Sequence, residues 1–348
     1  MYNETDIEAA VAAGILSPAA ADAFRNHVSA LRSTPLADEE SFRLLTGFND
    51  IFVSIALALL LTALAWIGGS IWVGLGGIAV AAASWMLAEY FTRQRRMALP
   101  SILLLLSFVG GVAASLVGAL VELEPDWTDQ MNAVAVAGIG LIASGAAYAH
   151  WRRFQVPITV AAGSVAATGV IIALVLAASP DIDAQILWVI LAMGLSLFAF
   201  AMWWDVADRA RITRRSDVAF WLHLAAAPMI AHPIFHLLGV MDGTINIVQA
   251  FFVVTLYLLF ALVSLSVDRR ALLVSSLAYL LFAMNALFEK FGAVSLGAAF
   301  TAFIIGAALL LLSAFWHRAR QAVVSQLPRV WHTKLPVIDR LPIPQPTS

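Results

Sequence analysis

Residues 152–183 read RRFQVPITVAAGSVAATGVIIALVLAASPDID. A pair of arginines opens the stretch, Pro157 starts an apolar run that lasts to Ala178, and Asp181 and Asp183 close it. A bilayer-spanning helix needs about 20 mainly apolar residues at 1.5 Å rise each, and the run supplies them. Cations at one end and acids at the other mark a helix whose ends lie on different sides of a membrane. The unit recurs along the chain. Arginine pairs return at Arg95 and Arg96, Arg214 and Arg215, and Arg269 and Arg270, while the connectors between them are neutral or acidic, as in Glu122-Leu123-Glu124-Pro125-Asp126.

Ten segments meet the length requirement, at 51–68, 71–91, 100–121, 131–149, 157–178, 184–204, 218–239, 245–267, 271–289 and 294–316. The fold class read from them is all-α, a polytopic membrane protein of about ten transmembrane helices with a short cytoplasmic N-terminal helical segment. Composition agrees: 61% of the 348 residues are hydrophobic and 12% charged, about half the charged share of a soluble domain. The net charge of −2 gives no electrostatic case for nucleic acid. With no cysteine, disulfides, thiolate metal ligands and Cys nucleophiles are excluded. The positive-inside bias places both termini in the cytoplasm. The polar first forty residues predict no cleaved leader.

Three regions follow: 1–46, a cytoplasmic helical hairpin and linker; 47–316, the ten-helix membrane domain; and 317–348, a cytoplasmic interfacial helix and Pro-rich tail. In the first region a helix is predicted to stop at Gly14, and Ser17 to cap a second with Pro18 at its first position. In the last, Val323, Val324 and Leu327 suggest an interfacial helix, whereas Pro328, Pro336, Pro342, Pro344 and Pro346 predict an extended, mobile tail. Gly74, Gly76, Gly77, Gly110, Gly111, Gly138, Gly140 and Gly145 give small faces for close helix approach. The match of Arg95–Pro100 with Arg152–Pro157 suits duplicated hairpins, although the topology rule alone would also repeat the arginines.

The seventh segment carries the polar exceptions. Pro228 and Pro233 should kink or break it, since each lacks a donor and clashes with the carbonyl four residues back. His232 and His236, four apart, share a face. Asn246 and Gln249 in segment eight, and Asn285 and Glu289 in segment nine, fall at the same depth on the outer side. These six residues are the candidate substrate-binding set. Three readings stay open: a solute pocket, mutual hydrogen-bond satisfaction, and a two-His-one-carboxylate metal site. No catalytic set, metal motif or cofactor loop stands out. The connector 205–217 reads as a solvated, self-paired loop or as a docking point for anionic headgroups or a partner.

Two stretches carry a resemblance. Gly14-Ile15-Leu16-Ser17-Pro18-Ala19-Ala20-Ala21 resembles the opening of a bacterial predicted-membrane-protein family of unknown function, with its Gly-[Leu/Ile]-[Leu/Ile]-[Ser/Thr]-Pro-x-x-Ala segment. Arg214-Arg215-Ser216-Asp217-Val218-Ala219-Phe220-Trp221-Leu222-His223 is similar to a segment of uncharacterised bacterial inner-membrane proteins. The resemblance implies a bacterial inner membrane and no activity. The expected partners are therefore the lipid bilayer, a small solute for a transporter, or a cytoplasmic protein held by residues 1–46 for a scaffold or assembly factor. A membrane-embedded enzyme ranks third.

Overall fold

The computed structural model describes residues 7, 10–24, 48–123, 126–179, 185–209, 211, 213–240, 246–290 and 297–337, with the side chains of 285–290, 297 and 298 not described. The chain divides into two compact units, Met1–Phe42 and Arg43–Ser348. In the first, helix 10–12 closes on Gly14, whose φ of 69° lets the Ile15 N–H reach back 2.9 Å to the Ala10 carbonyl. Helix 18–24 opens with Pro18, and the Ser17 hydroxyl accepts from the Ala20 N–H at 3.1 Å. Both sequence signals for these helix ends are realised.

In the second unit the helices are α1 (Phe48–Ile71), α2 (Val73–Ala88, extended by a π-helical turn Glu89–Gln94), α3 (Ala98–Leu123), α4 (Asp129–Phe154), α5 (Ile158–Ala178), α6 (Ile186–Ala207), α7 (Arg214–Leu237), α8 (Ile247–Val267), α9 (Ala271–Lys290), α10 (Gly297–Ala314), α11 (Trp316–Ser325) and α12 (Arg329–His332). No strand occurs among the described residues. A helix stands at each of the ten expected segments. Eight of them, α1 to α8, are long and apolar enough to cross a membrane, and α10 with α11 forms a ninth candidate bent by 76°. In α9 the apolar described stretch is the shorter Ala271–Met284. Large apolar side chains such as Phe48, Trp66, Leu141, Trp188 and Phe251 lie open on the outside of the bundle. In water this surface would be untenable, but in hydrocarbon it is the solvent-matched one. The chain is an integral membrane protein of all-α class.

Helices pair as hairpins closed at their arginine-bearing ends. Each of α2–α3, α4–α5, α6–α7 and α8–α9 packs more closely than the pair joined by the next connector. Among the described residues, each of these four turns contains one non-glycine residue in the left-handed region: Arg96, Gln155, Arg211 and Asp268, with φ between 52° and 59°. Such a residue costs about 1–2 kcal/mol, so its return in every turn marks a shared geometry. The side carrying these turns is called the arginine face below, and the opposite side the far face.

Two apolar cores among the described residues are the largest in the unit. One gathers Leu57 and Leu61 of α1, Leu104 and Leu105 of α3, and Phe154. The other surrounds α7 with residues of α5, α6, α8, α9 and α10. More than half of α7's membrane window is buried, against a third or less for the other seven spans. This central helix is not broken as the sequence suggests: it runs uninterrupted from Arg214 to Leu237 with Pro228 and Pro233 inside it. The neighbours supply the reason. Pro233 leaves the Met229 carbonyl without its N–H partner, and Gly194 of α6 packs directly there. A Cβ on Gly194 would stand 2.9 Å from that carbonyl's carbon and oxygen. Backbone approach from α6 thus covers the gap in the ladder.

Candidate functional site

At the far face, the last two turns of α7 carry a half-buried His232 and an exposed His236, with ring centres 5.9 Å apart. The Nδ1 of His232 lies 2.7 Å from the Tyr279 hydroxyl on α9. Tyr279 is stacked on Phe235 at 4.5 Å and 7°, which fixes the phenol and aims its oxygen at the imidazole. Either group can donate, depending on the histidine tautomer.

The remaining four predicted residues fare differently. Asn246 and Gln249 do not face a pocket from within α8: they build its N-terminal capping box. The Asn246 side chain accepts from the Gln249 N–H at 2.8 Å, the Gln249 side-chain oxygen accepts from the Asn246 N–H at 2.9 Å, and Gln249 Nε2 donates to the Leu238 carbonyl at 3.1 Å. Asn246 Oδ1, Gln249 Oε1 and Gln249 Nε2 are thus committed to backbone groups that helix ends leave orphaned. Asn285 and Glu289 belong to α9, and their side chains lie outside the described residues. Among the described residues of the six, His232 and His236 come together on α7 and Asn246 and Gln249 come together in the cap, with no hydrogen bond or ring contact between the two pairs. Among the described residues no group of three metal-ligating side chains forms.

The arginine face holds a denser site that the sequence reading missed. Asp205, in the last turn of α6, is sealed from solvent. Its carboxylate receives Arg269 Nη2 at 2.6 Å and faces His223 Nε2 at 2.9 Å. Because a carboxylate only accepts, Nε2 carries a proton, and Nδ1 is buried without a partner. Phe198 stands edge-on to the same imidazole at 4.9 Å. Arg269 also donates to the Ser216 carbonyl at 3.0 Å. One side chain from the α8–α9 turn thus ties the ends of α6 and α7.

Beside it, Asp268 forms a second knot. Its carboxylate accepts from Arg211 Nη1 at 2.8 Å and from the Trp316 indole at 2.7 Å, with Arg320 Nε at 3.7 Å. Arg211 also donates to the Val267 and Asp268 carbonyls at the end of α8, where a helix leaves acceptors free and favours a cation. Burial alone would raise the Asp268 carboxyl; the Arg211 and Arg320 guanidiniums and the Trp316 N–H outweigh it and hold it below its ordinary value. Asp208 accepts from the Thr213 N–H and hydroxyl at the start of α7. Asp205, Asp208 and Asp268 balance Arg211, Arg269 and Arg320, so this buried group is neutral overall, the condition under which charges are tolerated away from water.

Two expectations are corrected here. Connector 205–217 is not a solvated loop at Asp205, Asp208 and Arg211, whose side chains are buried in these contacts. The tail is neither extended nor loose through residue 337. Arg209 donates to the Leu335 and His332 carbonyls at 2.8 and 2.6 Å, and Arg320 to the Pro336 carbonyl at 2.8 Å. The prolines at 342, 344 and 346 lie outside the described residues.

A separate crevice of about 660 Å³ opens among α3, α4, α5 and α7, lined by Leu106, Gly110, Ile139, Gly140, Ala161 and Trp221 among others. It contains none of the six predicted residues, and its apolar wall offers a polar solute no partner. No family model, curated protein or solved structure matches the chain.

Proposed function

We propose that this integral membrane protein is a small-solute permease of a bacterial inner membrane, with both termini in the cytoplasm. One observation carries the reading: an accessible His236 and a half-buried His232–Tyr279 pair at the far end of the most buried helix. Ionisable and hydroxyl groups at such a place are expensive to keep unless they are used. The imidazoles and phenol can each donate or accept, which suits a small hydrogen-bonding or anionic solute. The arginine turns support the orientation by the positive-inside rule, and the N-terminal resemblance supports the bacterial setting.

The test is uptake into proteoliposomes of a panel of small organic acids, amino acids and sugars. His232→Ala and Tyr279→Phe should each lower uptake of the transported solute by about tenfold, the loss of one contact worth 1.4 kcal/mol, with unchanged protein insertion. No uptake above empty liposomes for any member, or full uptake by both variants, overturns the reading.

A second reading has its own support. Met1–Phe42 is a compact unit separate from the membrane domain, with Ile15 and Phe24 exposed, as a scaffold holding a cytoplasmic partner would require. Deleting residues 1–46 should then remove a partner that co-purifies with the full chain. An unchanged partner set rejects it.

A further inference from the structure

α10 ends at Ala314 and the chain bends by 76° into α11. The sequence of α11, with His317, Arg318, Arg320 and Gln321 in ten residues, is too polar to re-enter hydrocarbon. The bend therefore lays it along the membrane surface. The residues that follow are fixed from one side. Arg320, 1% exposed, donates to the Pro336 and Val337 carbonyls at 2.8 and 3.3 Å. Arg209 holds His332 and Leu335 by their carbonyls, and the Val337 N–H returns 3.3 Å to the Arg209 carbonyl. Leu335 is buried with Val267 and Val324.

The other side of this strap is of opposite character. Val330 and Trp331 are 69% and 54% exposed. Arg318, Arg329 and Lys334 are also exposed and make no ion pair among the described residues. Lys334 Nζ lies 5.9 Å over the Trp331 ring. From Phe315 to Val337 the sequence has four Arg or Lys residues and no Asp or Glu, and of the four only Arg320 is turned inward. Exposed tryptophan and valine flanked by uncompensated cations, on a segment lying at a membrane surface, match an anionic headgroup layer: the ring and aliphatic chain fit the headgroup–acyl boundary and the cations its phosphates.

We propose that residues 315–337 form a surface strap that docks on anionic phospholipid of the adjoining leaflet through Val330, Trp331, Arg318, Arg329 and Lys334. The inward contacts of Arg209 and Arg320 order the strap beforehand, so docking incurs little further entropy. Each surface cation strengthens such an association by about fivefold.

The chain has no cysteine, so Val330→Cys gives a single labelling site for an environment-sensitive fluorophore on the full-length protein. The labelled protein is placed in nanodiscs of phosphatidylcholine alone or mixed with phosphatidylglycerol, and quenching by aqueous iodide is measured. The expected result is a label shielded in the anionic discs and accessible in the neutral ones. Arg329→Glu with Lys334→Glu should return it to accessibility, an effect of more than roughly tenfold on the docked fraction. Equal accessibility in both lipids overturns the proposal and leaves the surface to a soluble partner. Equal shielding in both, indifferent to charge reversal, overturns it as well, because insertion would then need no anionic lipid.

Discussion

Helices α2 and α3 meet through glycine, whereas the arginine-face ends of α6 to α9 meet through buried ions. In the first region a Cβ on Gly77 would lie 2.6 Å from the Gly111 carbonyl oxygen, and one on Gly118 would lie 2.7 Å from the Gly74 nitrogen. Backbones touch there, and the attraction is dispersion and weak C–H···O contact. In the second, Asp205 and Asp268 are joined to Arg269, Arg211 and Trp316 with almost no solvent access. The N-terminal counterpart of that network, Glu89 with Arg153 at 2.6 Å, stays open to solvent. The same arginine-bearing turn is thus a surface pair in one hairpin and a sealed rivet in another. Glycine contacts set how closely two helices approach, while a buried ion pair penalises any arrangement that parts its charges.

The largest effect should come from breaking a rivet. Arg269→Ala leaves the Asp205 carboxylate buried with only His223, a change worth about 3–5 kcal/mol. Thermal unfolding in detergent micelles should show a strongly lowered midpoint. Arg153→Ala, at the exposed Glu89 pair, should leave it unmoved. Replacing both partners with apolar residues, Asp205→Leu with Arg269→Met, should recover part of the loss: the unpaired charge is gone, while the buried His223 Nε2–H and the Ser216 carbonyl each lose a partner. Equal midpoints for Arg269→Ala and Arg153→Ala would erase the contrast between the two turns.

Next in size is the glycine seam. Gly77→Ala forces α2 and α3 apart, since the obstruction is backbone and cannot rotate away; overpacking of this kind costs about 1–3 kcal/mol. Gly110→Ala and Gly138→Ala face open space and should change stability by less than about 0.5 kcal/mol. The same unfolding assay separates the two classes, and a Gly77→Ala variant as stable as Gly110→Ala would mean the seam is not close-packed.

What the sequence makes legible follows from physics that is local. Each apolar run of span length becomes a helix, and Ser17-Pro18 caps one as its residue types require. The box Asn246-Ile247-Val248-Gln249 ahead of an apolar run was also readable as a helix start, but depth alone drew both residues into the proposed pocket. The Asp205–His223–Arg269 set was not legible. Its members stand 18 and 64 residues from Asp205, with no fixed spacing to betray them, and the topology rule already accounted for Arg269. Tyr279 escaped for a similar reason: a lone tyrosine in an apolar run reads as core until α7 is seen beside it. The prolines of the tail exclude long helix but not packing, and buried arginines that bind bare carbonyls leave no acidic partner in sequence.

The response of Asp268 to acid isolates the second knot. Its carboxyl is held below the ordinary value of about 3.9, so the folded state binds this proton less readily than the unfolded chain. Its contribution to stability is complete above the unfolded value and disappears as pH falls through the lower folded value. Wild type and Asp268→Asn should therefore differ by a constant amount from neutral pH down to about 5. The gap should then close under acid, as the wild-type carboxyl becomes neutral like the amide and releases Arg211. Unfolding midpoints of both proteins across that range test it. A gap that persists below the carboxylate range would show that Asp268 acts through hydrogen bonds an amide cannot reproduce. A gap that opens toward acid would reverse the sign and place the carboxyl above its ordinary value.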